Sequence, residues 1–327
     1  MAADASKFVL PASPNWYCSA VADCSLNRIY VFGARNCVYI LDVSSSPPVF
    51  EGQLAGHAER VTSVCFCKHK LHANFLASGS DDKTVKIWDV ETKLALMEHK
   101  AHNAKVTCLI WSPLVTDLVI SGDEKGQIIA WRYAEEKLFG GCPVQEHIFS
   151  MALSYLSEGE LAVGYKSGVI TVLNVNSSDG RIYLVHKLQG HSSEIHSLAW
   201  CPTPKEHIDF GPLQDKATAA EGHLIVSGSR DQTVRLWDAA QCKVLSIKQL
   251  PKRSSRKDKY DSYGPKDRLW LSVCWPAASP GHVISSSQGG ELLLWDLSKE
   301  GKINTNPLAW ATQELCSTLA AMSLGLE

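Results

Sequence analysis

The chain has 327 residues, 45% hydrophobic and 20% charged, with 32 basic against 34 acidic side chains and a net charge of −2. That much apolar material excludes bulk disorder and suffices for one large or two ordinary globular domains. The balanced charge excludes a whole-chain attraction to nucleic acid or membrane and leaves any such attraction to local patches.

No stretch of about 18 uninterrupted apolar residues is present, and the start MAADASKFVL lacks the basic flank and long apolar core of a signal peptide. The expectation is a soluble, intracellular protein with no membrane partner. Eleven cysteines, odd in number and irregularly spaced, read as reduced thiols.

Compared with itself, the chain repeats at about 45 residues, the length of one four-stranded blade. In chain order the copies end in VFGARNCVYILDV around Leu41, SGSDDKTVKIWDV around Trp88, SGDEKGQIIAWRY around Trp131, VGYKSGVITVLNV around Leu173, SGSRDQTVRLWDA around Trp237 and SSSQGGELLLWDL around Trp295. The second and fifth are introduced by Gly56-His57 and Gly190-His191. Each copy alternates apolar and polar residues over short β-branched runs that break at Gly, Asp or Asn, which is strand patterning. Units of four short strands cannot bury both faces alone, so they must stack around an axis. The prediction is an all-β propeller over residues 1–297, with six blade repeats near 16–43, 52–90, 99–133, 145–175, 188–239 and 268–297. Six copies predict an incomplete seven-bladed ring, with a small closed ring as the alternative. Polar insertions at 202–222 and 251–267 read as surface loops. Residues 298–327 form a divergent tail without blade motifs, where Ala311, Leu315, Leu319 and Met322 fall near the spacing of a short helix.

Most chemically tempting residues have structural work in such a repeat. His57 with Asp82, and His191 with Asp231, are expected to form hydrogen-bonded networks inside their blades. No nucleophile elbow, zinc-protease, phosphate-loop or dinucleotide motif occurs, so neither an enzyme nor a cofactor is expected. Cys65, Cys67, His69 and His72 crowd together, but Cys-x-Cys is tighter than the usual metal-ligand spacer and is what a strand running into a loop produces; no metal is assigned.

Seven of the ten tryptophans fall in repeat positions, and Trp16, Trp270 and Trp310 do not. Aligning the innermost strands RVTSVCF, KVTCLIW, EIHSLAW and LWLSVCW puts Trp270 in the slot of Val61, Val106 and Ile195. The first copy, WYCSAVA, puts Tyr17 in that slot and Trp16 in the slot of Glu194. Three aromatics thus gather where the innermost strands begin, at the mouth of the central channel. The turns on the same face carry Arg35, Lys83, Lys125, Lys166 and Arg230, and the insertion before Trp270 holds seven basic residues against three acidic ones. Ring faces beside cations suit single-stranded nucleic acid, with bases stacking and phosphates neutralised, and Lys125, Lys166 and Arg230 are candidate phosphate contacts. The alternative is a scaffold propeller that docks a peptide at the same mouth.

At these residues a resemblance becomes specific. SPNWYC, DDKTVKIWDVETK, SGDEKG, GHSSEIHSLAWCP, RLWLSVCWP and GGELLLWDL resemble the amino-terminal propeller of the WD-repeat Gemin subunit of the SMN complex, through about Leu297. The resemblance implies a WD-repeat RNA-binding subunit, cytoplasmic and nuclear, that selects precursor small nuclear RNA by its Sm site and 7-methylguanosine cap. SMN-complex subunits and Sm proteins would be its partners in assembling spliceosomal particles for mRNA splicing, with a side role in translation. By motif, Trp16 and Tyr17 would stack Sm-site bases, Arg35 would contact the RNA, Glu194 would accept from a base edge, and Trp270 would face the cap or a base. The family is far longer, with two joined seven-bladed propellers, so this chain is expected to bind more weakly by itself. The tail after Leu297 does not resemble it.

Overall fold

The computed structural model describes residues 13–15, 18, 20–45, 47–204, 223–250, 270–287 and 292–298. Among them the regular elements are strands and two single-turn 3-10 helices. The first sheet holds β1 (Ala22–Cys24), β2 (Ile29–Ala34), β3 (Cys37–Asp42) and β4 (Val49–Ala55); the second holds β5 (Val61–Phe66), β6 (Phe75–Ser80), β7 (Val85–Asp89) and β8 (Leu94–His99). The third contains β9 (Val106–Trp111), β10 (Leu118–Asp123), β11 (Ile128–Arg132) and β12 (Lys137–Gly141), and the fourth β13 (Ile148–Leu153), β14 (Glu160–Tyr165), β15 (Ile170–Asn176) and β16 (Arg181–Leu188). The fifth contains β17 (Ile195–Trp200), β18 (Leu224–Ser229), β19 (Thr233–Asp238) and β20 (Lys243–Gln249), and the sixth β21 (Leu271–Cys274), β22 (His282–Ser287) and β23 (Leu292–Asp296). Every neighbouring pair within a sheet is antiparallel and consecutive in the chain, which is the meander of a propeller blade.

The predicted alternation now has a cause. Middle strands such as β6, β10 and β18 are buried because both their faces are covered by adjacent blades, whereas outermost strands such as β8 are exposed along nearly their whole length. Five apolar clusters each join one blade to the next. One runs from Val31 and Ile40 to Val61 and Trp88, another from Ile87 to Trp111, a third from Ile120 to Val163, a fourth from Val172 to Trp200, and the last from Val226 to Trp295. Among the described residues no such cluster joins the sixth blade to the first.

A glycine in the second strand makes each interface close. At Gly164 a Cβ would lie 2.6 Å from Ile195 Cγ2 and 2.7 Å from Ser150 Oγ, and at Gly79 it would lie 2.6 Å from Val106 Cγ1. The Ser-Gly-Ser runs of β6 and β18 are therefore where the next blade's innermost strand seats.

The histidine networks form as expected and extend one residue further. Trp88 Nε1 donates to Ser78 Oγ at 2.7 Å, Ser78 Oγ donates to His57 Nε2 at 2.7 Å, and His57 Nδ1 donates to Asp82 Oδ2 at 2.9 Å. Trp237, Ser227, His191 and Asp231 repeat the relay. Burial would raise the Asp82 carboxyl, but the Thr84, Ala58 and His57 donors outweigh it and hold it at about 2. The third blade carries a shorter version, His102 with Asp123 and Ser121, which no Gly-His signals in the sequence.

Much of the first insertion, the second insertion, Trp310 and the predicted tail helix lie outside the described residues. Among the described residues no helix is long and apolar enough to cross a membrane, and no cluster of three His, Cys, Asp or Glu could hold a metal ion. His69 Nε2 meets the Ser112 carbonyl at 3.0 Å, and His72 packs its ring on Phe75.

Candidate functional site

The innermost strands carry a shared irregularity that sets up the mouth. In blades two, four and five the pairing with the second strand slips by one residue, so Val61 and Ser63 pair across Thr62, Ile148 and Ser150 across Phe149, and Ile195 and Ser197 across His196. In blade three the same slip skips Thr107. Bulges turn the extra residue away from the ladder and are common beside functional sites. Thr62, Thr107, Phe149 and His196 therefore occupy one level around the channel.

Among the described residues the sixth blade's innermost strand has no bulge, and this corrects the expected position of Trp270. Leu271 pairs with Ser287 and Ser272 with Ser286 without interruption, so Leu271 takes the slot of Val61, Val106 and Ile195. It is 1% exposed and its Cγ lies 3.1 Å from a Cβ built on Gly228, as Ile195 lies against Gly164. The sequence alignment assumed equal strand lengths, and the missing bulge moves Trp270 one position earlier, off the ladder and half-exposed at the mouth.

There the indole joins a row of rings. Trp270 stacks on His196 with centroids 4.4 Å apart, His196 meets Phe149 edge-on at 5.9 Å, and Phe149 stacks on His147 at 4.3 Å. Nδ1 of His196 accepts the Leu271 N–H at 3.3 Å, which orients that ring from the neighbouring blade. Burial keeps the His147 imidazole below its ordinary value and hence neutral at pH 7. His147, Phe149 and His196 escape the sequence reading because the fourth blade's innermost strand, HIFSMAL, is not among the strands aligned; set against EIHSLAW it puts His147 opposite Glu194 and Phe149 opposite His196.

The other expected site residues distribute as follows. Trp16 and Tyr17 lie outside the described residues. Their neighbour Asn15 is fixed across the first two blades: its Oδ1 accepts the Arg35 N–H at 2.6 Å, and its Nδ2 donates to the Arg35 and Val61 carbonyls at 2.8 Å. Arg35 is exposed in a left-handed turn, at φ 53°. Glu194 and Arg230, expected to act separately, are brought together: Arg230 Nη1 donates to Glu194 Oε1 at 3.1 Å. Burial would raise Glu194, but the Ser193 hydroxyl, its own backbone N–H and the Arg230 guanidinium hold it below the usual range. Lys125 and Lys166 are exposed and flank a groove of about 1330 Å3 between the third and fourth blades, whose inner end reaches His147.

Comparison with known proteins agrees with this architecture. The family described as WD domain, G-beta repeat matches residues 48–89 and 215–238, and the anaphase-promoting complex subunit 4 WD40 domain family matches residues 110–203. The chain is a WD-repeat propeller. This propeller is 38% identical over 315 residues to Gem-associated protein 5 of Mus musculus and of Homo sapiens, covering 89% of this chain and 20% of each relative. It is 29% identical over 359 residues to component of gems protein 5 of Dictyostelium discoideum, covering 88% of this chain and 28% of that one. The WD-repeat propeller thus resembles the WD-repeat region of Gem-associated protein 5 and spans between 20% and 28% of these relatives' lengths.

Proposed function

We propose that the mouth of this propeller binds single-stranded RNA. In line with the resemblance, the RNA would be a precursor small nuclear RNA, read at its Sm site and 7-methylguanosine cap and passed to Sm proteins within the SMN complex, in cytoplasm and nucleus. The observation that carries the reading is the continuous row of four rings, His147, Phe149, His196 and Trp270, whose His147 and Phe149 end lies in one cavity with Arg60 and Lys105. Stacked rings offer faces to unpaired bases of any sequence, and nearby cations neutralise phosphates. A methylated guanine carries positive charge, which strengthens its attraction to an indole face, and assigns Trp270 the cap or an adjoining base. Trp16 and Tyr17 would stack Sm-site bases, Arg35 would contact the strand, and Lys125 and Lys166 would meet phosphates. Glu194 would accept from a base edge with the oxygen lone pairs that Arg230 and Ser193 leave.

The test is fluorescence anisotropy with a labelled uridine-rich strand, the same sequence as a duplex, and a cap analogue, over a range of salt. The expected result is binding of the single strand over the duplex, affinity that falls steeply with log salt, and a loss of about 1–3 kcal/mol for cap in Trp270→Ala, the value of one stacked base. Equal affinity for duplex and single strand, or salt-insensitive capture of a peptide only, would overturn it.

A further inference from the structure

At the rim of the propeller the outermost strands carry a one-residue slip of their own. In blades one, two, four and five the pairing with the third strand leaves Glu51, Leu96, Val185 and Leu245 as the extra residue. A bulge bends an edge strand and keeps it from pairing with a strand of another molecule. In the third blade β12 pairs with β11 without interruption, from Ile128 with Gly141 to Arg132 with Lys137. Its free edge is therefore straight, and its backbone is open to a further strand.

The side chains and flanks of β12 decide which strand fits. Leu138 and Phe139, which as neighbours in a strand point to opposite faces of the sheet, both line the groove described above, together with Gly140 and Gly141. The groove thus follows the edge of the strand rather than either face. Leu138 is 45% exposed. Gly140 is held to glycine by its own blade, since a Cβ there would lie 2.5 Å from the Ile128 carbonyl oxygen, and it leaves bare backbone two positions from that leucine. An antiparallel copy of the same strand centred on Phe139 sets Leu138 opposite Gly140 of the second copy, Gly140 opposite Leu138, and Phe139 opposite itself, large against small and ring against ring. The flanks match by charge. Glu135 is committed to Arg132 and Lys137 at 3.1 and 2.6 Å, but Glu136 and Lys125 are both exposed and have no ion-pair partner among the described residues. The Lys125 carbonyl accepts the Cys142 thiol at 3.7 Å, and the same register puts Cys142 opposite Glu136 of the second copy. Each Glu136 is carried to the turn that holds the other copy's Lys125, twice by symmetry.

From this geometry we infer that β12 is a self-association edge, which pairs antiparallel with β12 of a second copy of this chain about a two-fold axis at Phe139. Such an interface is isologous, the same patch serving on both partners. It continues onto the neighbouring strand β16, where Tyr183, Leu184 and Val185 are 42–52% exposed and Ile182 Cβ lies 3.7 Å from a Cβ built on Gly141. A five-residue strand with this apolar margin makes a small interface, so the dimer is weak and depends on concentration. Lys125, given a phosphate in the RNA reading, is engaged by the second copy, so the two contacts at that lysine are alternatives. The ring row at the mouth takes no part.

The experiment is sedimentation velocity of the full chain without RNA, under reducing conditions and over roughly 1 to 200 μM, the range of a weak interface. The expected result is a monomer that passes to a dimer as concentration rises. Leu138→Asp, at an exposed position, should abolish the dimer. Glu136→Lys sets like charges together and should weaken it by roughly 2- to 30-fold, the worth of two exposed ion pairs, and Lys125→Glu in the same chain should restore it. A cross-link reads the register. Opposite residues of an antiparallel pair stand about 4.5–5.5 Å apart at Cα, within disulfide reach, so Glu136→Cys treated with glutathione disulfide should join Cys142 of the second copy. The two protein thiols are oxidised to the disulfide, and the glutathione disulfide is reduced to two glutathione thiols. The covalent dimer should run on non-reducing electrophoresis and vanish with Cys142→Ser. Within one chain, positions 136 and 142 flank opposite ends of β12 and cannot meet. A monomer at every concentration, a dimer untouched by Leu138→Asp, or no more covalent dimer from Glu136→Cys than from wild type would each overturn the assignment, and the RNA reading would stand. Should Leu138→Asp not fold, as judged by circular dichroism, the charge swap and the cross-link decide.

Discussion

The missing bulge in the sixth blade makes an opposite prediction for two adjacent residues. Leu271 is 1% exposed, pairs with Ser287, and packs into the last apolar cluster with Val226, Leu293 and Trp295. Trp270, the larger side chain, stands off the ladder and is half-exposed. Truncating Leu271 to Ala removes three carbons, about 2.4 kcal/mol of transfer free energy at about 0.8 kcal/mol each. It also leaves a cavity against Gly228, for a total of about 2–5 kcal/mol. Trp270→Ala loses its stack on His196, worth about 0.5–1.5 kcal/mol, and only part of an indole's burial. Trp270→Val, which the repeat alignment would class as a return to the sister-blade residue, should behave like Trp270→Ala, because the slot is already filled. The assay is urea denaturation followed by far-UV circular dichroism, comparing midpoints at unchanged slope. A larger loss for Trp270→Ala than for Leu271→Ala, or a gain of stability in Trp270→Val, would refute the register and return Trp270 to the core.

Other expectations follow from particular contacts. Gly164→Ala should cost about 1–3 kcal/mol or more, because its Cβ would meet Ile195 and Ser150 at 2.6–2.7 Å between two blades; the denaturation midpoint checks it. Ser78→Ala strips a partner from both Trp88 Nε1 and His57 Nε2 inside the second blade, and at about 1–3 kcal/mol per buried orphan should be more damaging than Ser112→Ala outside the relay. His99 is buried edge-on against Trp131 with its Nε2 unpaired among the described residues. Burial lowers it from 6.5 to about 4, so the unfolded chain takes up its proton first. Its contribution is full above pH 6.5 and is lost as pH falls toward about 4, by at most about 3 kcal/mol. Thermal melts of His99→Phe should be flatter over that interval than those of the wild type, and parallel curves would contradict the assignment. Asp82, held at about 2 against 3.8, adds a later loss as pH falls from 4 toward 2.

The repeat was legible because its signals are local. Strand alternation, Asp and Gly turns and the spacing of Trp88, Trp131, Trp237 and Trp295 each depend on neighbours in the chain, and blades must recur if each is to bury the next. The pairing of His57 with Asp82 and of His191 with Asp231 was readable for the same reason, since in each unit the histidine stands just before the innermost strand and the aspartate in the turn after the second. What the chain could not declare was decided between blades. A bulge is a mismatch between two strands, visible only once both are paired, so the absence of one at Leu271 could not be seen from LWLSVCW alone. Likewise Glu194 and Arg230 carry opposite charges at distant positions, and only the fifth blade's turn brings guanidinium to carboxylate. The row from His147 to Trp270 draws on three blades, and its order around the axis comes from how the innermost strands pack rather than from any one of their sequences.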